Sequence, residues 1–237
     1  MSTVQIEANP APDASFPAGL EYTAYAAFRV AGPLSVPRAH RASLAEEAHA
    51  ALSAIDGVAA RGTYDTAAYR ADVDLLVWIA GPTADAVQDA FAALRRTRLA
   101  AKLAPFWSAI GVHREAEFTK SHVAAYYTGE PARRYLCVYP FVRTAEWYLL
   151  GGEERRAMLT EHGEMGREYP DVRANTTSAF GLGDYEWLLA FEADNLVRIV
   201  DLIRHLRGAR ARLYTKNELP FITGVRKPLT DILDALP

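Results

Sequence analysis

The feature that most limits how this chain can fold is a repeat. Asp74-Leu-Leu-Val-Trp-Ile-Ala leads into a helix capped at Thr83, and Tyr185-Glu-Trp-Leu-Leu-Ala-Phe leads in the same way into a helix at Asp194. Around each copy the apolar residues switch between a period of two and a period near 3.6, the marks of strand and helix. In the first half Tyr22–Val30 reads as a strand. After the Gly32, Pro33 and Pro37 breaks, Leu44, Ala48, Ala51, Leu52 and Ile55 share one helical face. Val58–Tyr64 and Val73–Ala80 follow as strands, and the Thr83 helix carries Val87, Phe91 and Leu94 on one side. The second half starts again with a strand at Tyr135–Arg143 and a helix from Gly152 to Met165. Strands near Thr176–Phe180 and Tyr185–Phe191 come next, then a helix with Leu196, Ile199, Val200, Ile203 and Leu206 on one face. Two βαββα units predict an α+β chain of two tandem ferredoxin-like repeats with their sheets packed together.

The 237 residues divide accordingly into a disordered N-terminal tail (1–20), an N-terminal half (21–113), a connector (114–134) and a C-terminal half (135–237). The whole stretch from Arg98 to Glu130 falls between the repeated units. It is too long for an ordinary loop, and its Phe106, Trp107, Ile110, His113, Phe118, His122, Tyr126 and Tyr127 predict a packed segment. A net charge of −3 and a pI near 6.1 supply no basic stripe for nucleic acid. The single cysteine, Cys137, excludes an intramolecular disulfide and any CxxC motif, which suits a reducing compartment. No apolar run approaches the roughly 18–20 residues of a membrane span. Met1–Leu20 lacks the basic start and apolar centre of a secretory signal, so a cytoplasmic protein with no membrane partner is expected.

The chemistry-bearing residues cluster in the middle of the chain. His40, His49 and His205 sit among polar neighbours and read as solvated, and His113 fits either role. His162 shares a helical face with Met158, Leu159 and Met165, a placement that suits a core histidine or an axial ligand to haem iron. Gly163 and Gly166 beside it leave room for a flat ring. There is no HExxH motif and there are no acidic residues at ligand spacing, which argues against zinc. Neither GxSxG nor a phosphate loop occurs, and Cys137 lies mid-strand where burial makes a thiol inert. Alternation puts Tyr135, Cys137, Tyr139, Phe141 and Arg143 on one strand face. That face can be a half-buried interface, or it can place a phenol near an oxidising centre and a guanidinium near a carboxylate. Trp147 can add a second oxidisable ring or simply pack.

The blocks Arg61-Gly-Thr-Tyr-Asp, Ala71-Asp-Val-Asp-Leu-Leu-Val-Trp, Tyr139-Pro-Phe-Val-Arg, Glu161-His-Gly-Glu-Met-Gly-Arg, Gly181-Leu-Gly-Asp-Tyr-Glu-Trp and Pro220-Phe-Ile-Thr-Gly occur in this order. From about Tyr22 onward the chain thereby resembles the chlorite dismutase-like family, and within it the coproheme decarboxylases of actinobacterial type. The resemblance implies a dimeric α+β barrel built within one chain, and commonly a homopentamer. It makes His162 the axial iron ligand, Tyr139 the tyrosine that becomes a radical, and His122, seventeen residues before Tyr139, a distal base in a pocket to which the connector contributes. The implied substrate and redox cofactor is Fe-coproporphyrin III (coproheme), with hydrogen peroxide as oxidant, haem b as product and no separate metal. Arg143, and more remotely Lys216 and Arg212, are the propionate-binding candidates, with Trp147 beside them. A transient contact with a coproporphyrin ferrochelatase is also implied. Two alternatives stay open. Chlorite dismutation needs a distal arginine where Ala174 aligns, although a one-residue slip would supply Arg173. A haem-binding protein without chemistry would need His162 alone.

Overall fold

The computed structural model describes residues 16–118 and 123–237. Among them the N-terminal half runs β1 (Tyr22–Val30), α1 (Arg38–Ser53), β2 (Ala59–Asp65), β3 (Leu75–Gly81), α2 (Ala84–Arg95) and β4 (Leu103–Val112). The C-terminal half repeats the order with β5 (Tyr135–Arg143), a short extra helix α3 (Ala145–Leu149), α4 (Gly152–Arg167), β6 (Arg173–Ser178), β7 (Trp187–Ala193) and α5 (Leu196–Leu206). Its last strand is split into β8 (Thr215–Asn217) and β9 (Ile222–Arg226), and α6 (Leu229–Ala235) follows. Thr83 caps α2 as expected, its side chain accepting from the Ala86 N–H at 3.1 Å.

Strand order explains how the halves join. The first half gives β4-β1-β3-β2 and the second β9-β5-β7-β6, all antiparallel neighbours. β2 then pairs with β9 and β4 with β6, so the two four-stranded sheets close into one barrel. Each seam is tight. A side chain at Gly111 on β4 would place its Cβ 2.3 Å from Thr177 Oγ1 on β6, and one at Gly224 on β9 would lie 2.9 Å from Tyr64 Cβ on β2. Only a hydrogen fits at either place.

Alternation along the strands sorts side chains into layers. Tyr25, Ala27, Tyr64, Leu76, Trp78, Leu136, Val138, Leu188 and Ala190 fill the barrel interior. Ala24, Ala26, Phe28, Leu75 and Val77 face outward under α1 and α2, joined by Ile232 and Leu233 of α6. Cys137, Tyr139 and Phe191 face outward in the second half, under Ile199 and Leu202 of α5. Inside the barrel, Arg61 on β2 meets Glu192 on β7 with both side chains fully buried, at 2.6 Å. Asn175 Nδ2 and the Arg133 N–H also donate to Glu192, and Arg61 donates to Glu130 O and lies over the Trp78 ring. A buried ion pair offsets its desolvation only with such extra hydrogen bonds.

Three expectations change. The stretch Arg98–Glu130, expected as a packed segment between the repeated units, contains the strand β4. Pro105 and a register shift opposite Ala27/Phe28 break its alternation, and its faces are only partly buried. On α5 Val200 is 56% exposed and Leu202 takes the buried place expected for it. Of the segment read as a tail, Leu20 is buried and the Gly19 N–H donates to Tyr127 O, so residues 16–20 pack against the barrel. Residues 1–15 lie outside the described residues.

Candidate active site

The outer face of the second sheet and the helices α4 and α5 enclose a cleft of about 80 Å³ into which Tyr139, Arg143, His162, Arg207, Arg212 and Glu218 all face. Leu189, Phe191, Ile203 and Leu206 supply its apolar walls. Tyr139 from a strand and His162 from a helix 23 positions further on are thereby brought together.

α4 forms because its acidic first turn, Glu153 and Glu154, and its Arg167 end complement the helix dipole. It is held against the 3₁₀ turn Arg210–Tyr214 by Glu161, which accepts the Arg210 backbone N–H at 3.0 Å and Arg210 Nε as well. Met158 buries against Trp147 and Ala211. His162, the residue after Glu161, is thus fixed in height and rotation on a clamped helix, half-buried at the cleft.

Tyr139 is 7% exposed, stacked on Phe221 (4.3 Å between ring centroids, 25° between planes) and near Phe191. Burial raises the pKa of its phenol well above the usual tyrosine range, and Cys137 and Glu218 raise it further while Arg207 and Arg212 oppose them. The hydroxyl therefore keeps its proton at neutral pH. Arg143 is held on three sides: its backbone N–H donates to Glu186 at 2.7 Å, its Nη1 donates to Ala211 O at 2.8 Å, and its guanidinium lies 4.3 Å over the Trp147 ring. Burial lowers its pKa, which still leaves an arginine charged.

The remaining candidates separate. Arg212 lines the cleft and pairs with Glu218 at 3.1 Å. Trp147, 5% exposed, is not a cleft wall; it packs beneath Arg143 and beside Tyr214, because the turn into α3 points it under the sheet rim. Lys216 sits exposed on β8, outside the cleft lining. His122 lies outside the described residues. His113 stacks on Tyr127 at 4.0 Å, its pKa lowered by burial. Arg207 and Glu218 went unnoticed in the sequence, where both look like surface charges; the break between β8 and β9 is the signal that could have pointed to Glu218.

The dismutation alternative hinged on residues 173 and 174. Ala174 pairs with Phe191 and packs with the outward-facing cluster under α5, whereas the Arg173 guanidinium is bound to Glu130 at 2.6 Å and to Pro170 O. No arginine therefore stands at position 174's place on that face. A roomier hollow of about 660 Å³ lies beside the start of α1, lined by Ser35, His40, Arg98 and Lys102. It contains no phenol, and its Arg98 is already bonded to Glu47.

An imidazole, a protonated phenol, three guanidiniums and apolar walls suit an iron porphyrin bearing carboxylates. The volume is well under the roughly 300–1,000 Å³ of a small-molecule pocket, so the cleft has to widen to admit one. With this barrel of two ferredoxin-like repeats, the chain belongs to the chlorite dismutase family, whose model, described as Chlorite dismutase, matches residues 41–227. Within the family it is 52% identical over 182 residues to the coproheme decarboxylase of Mycolicibacterium smegmatis, a span of 76% of this chain and 79% of that protein. It is 27% identical over 191 residues to the coproheme decarboxylase of Staphylococcus carnosus, covering 73% and 77% respectively. A solved chlorite dismutase from Candidatus Nitrospira defluvii matches the fold with a TM-score of 0.80, at 22% identity over 90% of this chain and 93% of that one. No helix among the described residues is long and apolar enough to cross a membrane.

Proposed function

We propose that this chain is a coproheme decarboxylase, an oxidoreductase that converts two propionates of Fe-coproporphyrin III to vinyl groups with hydrogen peroxide and releases haem b. The observation that carries the reading is the buried, protonated Tyr139 sharing one cleft with the helix-borne His162, in a chain so similar to the mycolicibacterial decarboxylase. Each round balances as one propionate, one peroxide and one proton giving one vinyl group, one carbon dioxide and two waters. The carboxylate side chain is oxidised by two electrons and the peroxide is reduced.

When bound, the iron porphyrin supplies the redox chemistry that takes electrons from the protein and the propionate. His162 offers its imidazole to the iron from the α4 side. Tyr139 gives up its phenolic hydrogen and then takes a β-hydrogen from the neighbouring propionate; its buried hydroxyl holds that hydrogen until it is drawn away. Arg143, immobilised by Ala211 and Trp147, steadies a carboxylate by charge-assisted hydrogen bonds. His122 has the role of base toward peroxide, on the family resemblance. Assembly as a homopentamer, a cytoplasmic location and product transfer through contact with a coproporphyrin ferrochelatase complete the proposal.

The test is to mix apoprotein with ferric coproporphyrin III, titrate in peroxide, and follow the tetrapyrrole by mass spectrometry and the Soret band. Stepwise loss of two formic-acid equivalents supports decarboxylation. Binding without mass loss sinks it in favour of a haem carrier, and dioxygen from chlorite would favour a dismutase. Tyr139→Phe is expected to bind coproheme normally and to lose carbon dioxide release by at least about a hundredfold, in the range of removing an essential proton-transfer group; normal turnover in that variant would exclude the tyrosine's role.

A further inference from the structure

The fourth strand of the two halves differs at one place. β4 runs unbroken from Leu103 to Val112, whereas its counterpart stops after Asn217 and resumes at Ile222. On β5 the flanking pairs are Val142↔Asn217 and Val138↔Ile222, so the break lies opposite Tyr139, Pro140 and Phe141. Phe221, at one end of the break, stacks on Tyr139. Glu218, at the other end, enters the cleft with its side chain only 16% exposed. There one carboxylate is held by two guanidiniums: Arg207 from just beyond α5, and Arg212 from the Arg210–Tyr214 turn at 3.1 Å.

We propose that Glu218 is a built-in stand-in for a substrate carboxylate: it occupies Arg207 and Arg212 when the cleft is empty, yields them to the reacting propionate, and reclaims them once that propionate has become a vinyl group. The inference rests on the decarboxylase reading and deepens it. Glu218 holds the guanidinium donors that Arg207 and Arg212 turn toward the cleft, so an incoming carboxylate competes with it for the same hydrogen bonds. Tyr139 lines the same cleft as Glu218, Arg207 and Arg212, so the exchange concerns a carboxylate bound beside that phenol, the one about to be lost. Substrate carries four carboxylates and product two. After reaction the arginine pair faces an uncharged vinyl group, and a tethered glutamate is the nearest anion. The swap therefore lowers affinity for substrate, leaves affinity for product nearly untouched, and shuts the cleft behind the product.

The experiment is to titrate wild type, Glu218→Gln, Glu218→Asp and Arg212→Gln with ferric coproporphyrin III and with haem b, reading the Soret band and the thermal shift on binding. Glu218→Gln removes the competing charge, so coproheme affinity should rise about tenfold, the scale of one charge-assisted hydrogen bond, while haem b affinity stays within about twofold. The apoprotein should melt lower and gain more from coproheme than wild type does. Glu218→Asp should restore the wild-type ratio, and Arg212→Gln should weaken coproheme selectively. In Glu218→Gln an unchanged ratio of the two affinities, or equal changes in both, would overturn the exchange. Were Glu218→Gln not to fold, Glu218→Ala decides it by the same ratio. Failure of wild type to bind coproheme would instead overturn the decarboxylase reading itself.

Discussion

The two halves can be laid over one another residue by residue, and they differ where it matters. The fifth residue of the first strand is Ala26 opposite Val77 in one half, and Tyr139 opposite Leu189 in the other. Both halves follow with a 16-residue helix, whose eleventh residue is Ala48 in α1 and His162 in α4. The tenth is glutamate in both, and it makes the same clasp: Glu47 accepts the N–H and Nε of Arg98, as Glu161 does of Arg210. With alanines at the first two places, α1 buries Arg41, Leu44, Ala45, Ala48 and Leu52 directly on the sheet. With tyrosine and histidine there, α4 buries Met158 alone and a cleft opens. The scaffold is shared, including the device that orients the helix, and what differs is that a phenol and an imidazole replace two alanines and face one cleft.

The comparison can be broken most severely at the barrel's centre. Arg61→Met leaves Glu192 charged and unpaired inside, and should cost about 3–5 kcal/mol of stability in urea unfolding. Because that pair links β2 to β7, the transition should stay single; two resolved transitions would mean the halves fold separately. Next come the seams: Gly111→Val and Gly224→Val should each cost about 1–3 kcal/mol or more, since neither site has room for a Cβ. A large cost at one seam and none at the other would show that closure is not symmetric.

A finer test compares the clasps. Glu47→Gln and Glu161→Gln should lower the melting temperature slightly and alike, but only Glu161→Gln should shift the Soret band of the coproheme complex, because His162 is its neighbour. Equal spectra would mean that the clasp does not act on a bound porphyrin through His162. The smallest effect concerns His113, at the end of β4. Its folded pKa lies below the usual histidine value of about 6.5, so the unfolded chain binds the proton more readily. Stability from this site is complete above that value and declines as pH falls through it toward the folded pKa. His113→Gln should flatten the slope of stability against pH in that window, as read by denaturant melts.

Much of this architecture is legible in the residues. β1 and β5 begin and end where alternation places them, and Thr83 marks the start of α2. The apolar face around Met158 and Leu159 directs His162 inward. β4 was hidden because Pro105 and its bulge break the period that identifies a strand. Arg207 and Glu218 were hidden for another reason: a charged side chain in sequence carries no mark of the partner that draws it inward. Lys216 shows the converse, a cation near the cleft in sequence that β8 turns to solvent.

α6 has a consequence for how the molecule is made. Ile232 and Leu233 belong to the core beneath α1 and α2, Arg41 donates to the carbonyls of Leu233 and Leu236 at 2.6 and 2.8 Å, and the Leu34 N–H reaches Pro237 O at 3.0 Å. A ribosome delivers chain from the N-terminus onward, and domains ordinarily fold as they emerge. Here the first half is completed by α6, which follows the whole second half in the chain, so part of its apolar floor stays uncovered until α6 has emerged.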